Sequence, residues 1–205
     1  MIKKISVLIV MFSMSNLFSQ EFFIQSGKNH TSYEFASPTV DSNLEYRSAI
    51  GDAFAFGYNH KFNQSNFAYQ VSVTYNQYNA AASNGATNYT WNTSYMGLQN
   101  TVSYSLRDKI KKIQIFLNAG FNTATVLRGD QFINTLYYDL KNQDEFSGII
   151  LQPLVGLNMQ YTISDKIKLS LGYNFSKSFH ISNSTDEKVS FLTNQIQLGL
   201  HFPIK

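Results

Sequence analysis

The sequence has no cysteine in 205 residues, which excludes a disulfide framework, a thiolate metal site and a lipid-modified N-terminal cysteine. It is also short of charge: Asp, Glu, Lys and Arg make up 14% of the chain, against about 25% in ordinary soluble domains. A long apolar run is missing too. The stretch from Ile5 to Phe12 falls well below the roughly 20 residues that a membrane-crossing helix requires, and no later segment comes closer. His30, His60, His180 and His201 are scattered and show no metal-ligand spacing of the His-x-x-x-His kind. The net charge of +3 includes Lys3 and Lys4 of the N-terminal segment, so the remainder is close to neutral and nothing points to a nucleic-acid partner.

What the chain has instead is aromatic side chains, 13 Tyr and 17 Phe, and a period of two. In Ile167, Leu169, Leu171, Tyr173 and Phe175, interleaved with Lys168, Ser170, Gly172, Asn174 and Ser176, one face is apolar and the other polar, because successive strand side chains point to opposite sides. The polar set throughout the chain is mostly amides, hydroxyls and glycines with little charge, which suits a narrow hydrated lumen and not an open aqueous surface. Mean hydropathy is slightly negative, as expected when half of each membrane-crossing strand is polar. The pattern predicts an all-β chain, an eight-stranded antiparallel up-and-down transmembrane β-barrel. A soluble lipocalin-like barrel, with its apolar face turned inward around a ligand, is the alternative.

Alternation places strands at Phe22 to Phe35, Ala49 to Phe62, Phe67 to Tyr78, Tyr89 to Leu106, Ile113 to Leu127, Ile149 to Ile163, Ile167 to Lys177 and Val189 to Phe202. The first alternates poorly. Pro153 predicts a bend or bulge in the sixth. Lipid-facing positions include Phe54, Phe56, Val73, Met96, Leu98, Leu117, Val155, Leu157, Ile196 and Leu198. Lumen positions include Gln70, Ser72, Thr74, Asn118, Asn122, Asn158, Gln160, Thr162, Asn174 and Gln197. These polar groups form either a narrow passage or a mutually hydrogen-bonded core.

The connections alternate in length. Asn63 to Asn66, Arg107 to Lys112 and Ser164 to Lys166 are short polar turns, whereas Ala36 to Ser48, Asn79 to Asn88, Gly129 to Gly148 and Ser178 to Lys188 are long. Outer-membrane barrels have short periplasmic turns and longer extracellular loops. The first twenty residues, with Lys3 and Lys4 before the apolar run and Ser19 and Gln20 at its end, read as a secretory signal peptide, leaving 21–205 as the barrel.

With a last strand Asn194-Gln195-Ile196-Gln197-Leu198-Gly199-Leu200-His201-Phe202 and a signal ending Leu17-Phe18-Ser19-Gln20, the chain resembles the small outer-membrane barrels of the OmpX and OmpA-barrel type, including the Bacteroidetes porin-family domains. That resemblance implies an integral outer-membrane protein of a Gram-negative envelope that meets membrane lipids and lipopolysaccharide and needs no cofactor. His180-Ile181-Ser182-Asn183 resembles the His-x-Ser-Asn segment of lipid A 3-O-deacylases, in which the His acts as base and the Ser as nucleophile. Asn194 stands where that family has its acidic residue, and by parity His180 and Ser182 share the lumen face of Asn174 and Ser176. A solvated loop histidine is the competing reading.

The third long loop is the other candidate. Phe132, Tyr137, Tyr138 and Phe146, with Ile133, Leu136 and Leu140, stand among Asp130, Asp139, Asp144 and Glu145; aromatics beside polar groups mark recognition surfaces, unless they pack within a paired rim. Asp144 and Glu145 could also serve a calcium ion or stay solvated. The expectation is a structural or adhesive barrel binding an extracellular or envelope protein partner through its loops, with a narrow solute channel and a lipid A esterase as the alternatives.

Overall fold

The computed structural model describes residues 20–36, 45–62, 65–106, 112–143, 146–181 and 188–204. Among them every regular element is a strand: β1 (Gln20–Ala36), β2 (Glu45–Lys61), β3 (Phe67–Ser83), β4 (Asn88–Leu106), β5 (Ile113–Ile133), β6 (Leu136–Asp139), β7 (Ile149–Ser164), β8 (Ile167–Lys177), β9 (Phe179–His180) and β10 (Lys188–Ile204). Eight of them form a closed antiparallel ring, in the order β1-β2-β3-β4-β5-β7-β8-β10 and back to β1. Closure leaves no free edge, which is what lets a sheet sit in hydrocarbon.

The apolar parity faces outward. Phe54, Phe56, Val73, Met96, Leu98, Leu117, Val155, Leu157, Ile196 and Leu198 are all exposed on the outer wall. The inward parity carries Ser72, Thr74, Asn122, Asn158, Gln160, Asn174 and Gln197, all buried. A lipocalin-like arrangement would have the opposite sense, so that alternative is overturned by the side-chain directions.

The strands exceed what a bilayer requires. β1, β2 and β3 each run 17 residues, against about 9–11 for a tilted crossing; at about 3.3 Å per residue the surplus is a rim roughly 20 Å tall. The rim lies at the end of the long connections, so sheet extends well into two of the predicted loops. β3 and β4 stay paired to Ser83↔Asn88, leaving 84–87 as the turn, with Gly85 at φ 87°. In the third loop β5 continues to Ile133, turns at Asn134 and returns as β6, pairing Ile133↔Leu136 through Asp130↔Asp139. Asn134 has φ 54°, the left-handed conformation that tight hairpin turns demand and Asn tolerates. Its side chain accepts from the Asn88 N–H at 2.9 Å, tying the turn to the start of β4.

The interruption expected at Pro153 lies in the neighbouring strand. Pro153 itself holds an unbroken register with Phe121. On its other side the partner changes from β8, at Leu154↔Ser176, to β9, at Leu151↔Phe179. Proline has no N–H to donate, and the ladder breaks where that donor would have been used.

Candidate functional site

The interior is layered. In the middle sits a belt of amides and hydroxyls that reach across the lumen. Gln195 Nε2 donates to Asn29 Oδ1 at 2.8 Å and to Asn76 Oδ1 at 3.0 Å; Thr74 donates to Asn122 at 3.1 Å, and Gln152 to Ser176 at 3.0 Å. The void left among Asn76, Gln99, Asn122, Gln152, Asn174 and Gln195 is about 10 Å³, room for one water at most. The layer therefore acts as a bonded core at this level.

Toward the long-loop end the lining changes to rings. Tyr33, Tyr78, Trp91, Tyr95, Phe146 and Phe191 bury one another together with Leu140, Ile150 and Val189. The Tyr33 and Phe191 rings lie 4.7 Å apart, and the Tyr78 and Phe191 rings 5.3 Å. The phenols are satisfied within the cluster and by the amide belt beneath it: Tyr33 donates to the Tyr78 carbonyl at 2.7 Å, Tyr78 to Gln152 at 2.7 Å and Tyr95 to the Phe146 carbonyl at 3.2 Å. Leu140 reaches this cluster by crossing Gly129, where any Cβ would lie 2.9 Å from that of Leu140.

At the short-turn end the lining is ionic. Glu21, 4% exposed at its side chain, takes Lys61 at 3.2 Å and pairs with Lys168 through the same oxygen. Its other oxygen faces Asn59 Nδ2 at 3.4 Å and His201 Nδ1 at 3.7 Å. His201 is held from behind by Ser170 at 3.0 Å and stacks on Phe23 at 5.3 Å. Four strands thus contribute one ionisable group each, Lys61 and Lys168 beside short turns and Glu21 and His201 near the start of β1 and the end of β10, which pair with one another.

Outside, above the lipid-facing belt, the β5–β6 hairpin exposes large apolar side chains. Leu136 is 61%, Tyr137 56% and Tyr138 45% exposed, with Phe132 beside them. Phe132 and Tyr137 pack at 5.7 Å. The Tyr137 hydroxyl donates to Asp130 at 3.0 Å, and this bond raises the phenol pKa. Asp130 also takes the Arg128 Nε at 2.8 Å, while Asp139 accepts the Lys141 N–H at 2.9 Å and caps the exit from β6.

No family model and no curated protein matches the sequence. Among solved structures the chain is similar to the outer membrane protein OprG from Pseudomonas aeruginosa, with a TM-score of 0.53 and 9% identity over 90% of this chain and 95% of that one. The fold is that of the small outer-membrane β-barrels. Neisserial surface protein A aligns with 16% identity and a TM-score of 0.49, over 89% of this chain and 97% of that one. The outer membrane enzyme PagL aligns with 11% identity and a TM-score of 0.43, over 89% and 99%. At these identities the likeness is one of architecture.

Within this barrel the predicted site residues separate. Phe132, Tyr137, Tyr138 and Asp139 lie on the exposed hairpin. Phe146 does not join them: it is 3% exposed and belongs to the aromatic cluster, as does Leu140, because the chain after β6 folds back into the barrel mouth. His180 points inward, its Nδ1 bonded to the Val189 carbonyl at 3.0 Å and its ring meeting Phe191 edge-on at 6.4 Å. Ser182, the signal segment 1–19, Arg107, Lys109, Lys111, Asp144, Glu145 and Glu187 lie outside the described residues. Among the described residues no group of three or more His, Cys, Asp or Glu side chains is placed to hold a metal ion. The ionic cluster was missed by motif reading, yet parity carries a signal for it: Glu21, Lys61, Lys168 and His201 all fall on the lumen face.

Proposed function

We propose that the protein is an outer-membrane barrel whose work is done at its rim: a closed, rigid wall that holds the β5–β6 hairpin away from the membrane as a docking surface for an extracellular or envelope protein. The observation that carries this is the exposure of Phe132 and Tyr137 on one face of a paired hairpin and of Leu136 and Tyr138 on the other. Large apolar side chains exposed beyond the lipid belt on both faces of one hairpin are what protein interfaces select. Rigidity adds to the argument, because a hairpin already ordered by Asn134 and by the Tyr137–Asp130 bond loses little conformational freedom on binding. In this reading 1–20 is a signal peptide, the short turns are periplasmic, and the long loops face outward past the lipopolysaccharide.

Two features weigh against the competing functions. The bonded amide belt and the ring cluster above it argue against a solute channel. The inward direction of His180 and its bond to a backbone carbonyl argue against its acting as a base on a lipid.

The test is photo-crosslinking from position 138 in intact cells. A discrete protein adduct that disappears in a Leu136→Ser/Tyr137→Ser variant is the expected result. No adduct from position 138, with protease cutting the short turns and sparing the hairpin in intact cells, would sink both the orientation and the docking role.

A further inference from the structure

The outer wall carries a second surface that the lumen does not use and that meets the hairpin at Asp130. On β3, β4 and β5, where they leave the lipid belt, a cavity of about 300 Å³ is lined by Tyr75, Gln77, Asn79, Asn92, Ser94, Arg128 and Asp130, at the small end of ligand-site sizes. It opens where β4 and β5 slip register at Ser94/Tyr95 and Leu127 becomes an extra residue; a bulge bends its strand and re-aims the side chains beside it. The floor is organised by its own bonds. Gln77 donates to the Tyr75 hydroxyl at 3.2 Å, and Tyr75 donates on to Ser94 at 3.1 Å.

Directly beneath it on the same strands is an apolar trough of about 360 Å³, lined by Val73, Met96, Leu98, Thr123, Thr125 and Ile149. The two are continuous. Tyr75 pairs with Met96 and Met96 with Thr125, so the polar floor and the trough are adjacent rungs of one ladder, one same-face step apart along β3 (Tyr75, Val73) and β4 (Ser94, Met96). The trough exists because β5 presents the short Thr123 and Thr125 between longer neighbours.

We propose that this composite surface is a binding site for a glycolipid, with an acyl chain in the trough and a sugar headgroup in the cavity above it. Charge selects the headgroup. Arg128 is already paired with Asp130, so the cavity offers neither a net positive charge for a lone phosphate nor a net negative one for an amine. It offers amides, hydroxyls and the outer guanidinium nitrogens, which match groups that both donate and accept, as sugar hydroxyls do. Continuity with the trough selects an amphiphile over a free sugar.

The experiment uses the barrel purified in a zwitterionic amine-oxide detergent and native mass spectrometry. The probes are a diacyl glucosamine-disaccharide lipid without phosphate, phosphatidylglycerol of the same chain length, and the disaccharide without chains. The glycolipid should be retained at least about tenfold better than either comparison, a difference of one or two polar contacts. Asn92→Ala should reduce retention from the headgroup side and Thr125→Phe, which fills the trough, from the acyl side; both lie on the outer wall, away from the packed interior. Equal retention of phosphatidylglycerol, or glycolipid retention unchanged in both variants, overturns the proposal.

Discussion

The two ends of the lumen are closed by opposite means. At the long-loop end closure is by rings in contact, with the phenols bonded to carbonyls of the same cluster and to Gln152 of the belt beneath it. At the short-turn end it is by one carboxylate shared among two lysines and a histidine. An apolar cluster loses stability in proportion to the volume removed, and its neighbours relax into part of the gap. An ionic cluster fails differently: deleting one member strands the others without a counter-charge, and the cost is set by how well water reaches them. The barrel thus has an end that degrades gradually and an end that depends on a single side chain.

Substitutions can break this contrast. The largest effect is expected for Phe191→Ala, which empties the centre of the ring cluster and should cost about 3–5 kcal/mol, read from reversible urea unfolding in lipid vesicles. Next is Glu21→Ala, at about 3 kcal/mol. The lysines are partly exposed, which keeps the loss at the lower end of that range; a loss below about 1 kcal/mol would mean that the cluster is hydrated and not a seal. Tyr78→Phe removes a donor from Gln152 while keeping the ring, and about 1–3 kcal/mol is expected for the buried acceptor left behind. The smallest effect belongs to Asp52→Asn. Its pair with Lys28 stands on the outer wall with both side chains substantially exposed, so the change should stay within about 1 kcal/mol. Asp52→Asn also sharpens the comparison, because the same kind of ion pair is then measured once in the open and once inside the wall.

Much of the wall was legible in the sequence because its outer face is large and apolar and its inner face is uncharged and polar, so every second residue declared its side. The signal weakens wherever that chemistry changes. β1 turns Phe23 and Tyr33 inward and Ser26 and Lys28 outward, which hides the alternation although its ladder is complete. Beyond Tyr78 the inward residues are Ala80 and Ala82, too small to mark a face, and the rim there read as a loop. The hairpin was legible as a cluster of aromatics, and a paired rim stood as the competing reading; its strand bounds were not legible, since both of its faces meet water. Phe146 and Leu140 were placed with it by proximity in sequence; what separates them is the return of the chain over Gly129, a three-dimensional event with no local pattern. Parity did anticipate the inward turn of His180.

The seam between β1 and β10 pairs along the whole of both strands, from Gln20↔Ile204 to Ala36↔Lys188. Its two partners are the first and last of the described strands, so this ladder joins residues far apart in sequence, the slowest kind of contact to find. Until it forms, both strands hold an open row of N–H and C=O groups, which hydrocarbon cannot satisfy. Insertion and closure are therefore coupled in time: a chain that has entered the bilayer must already be joining its ends.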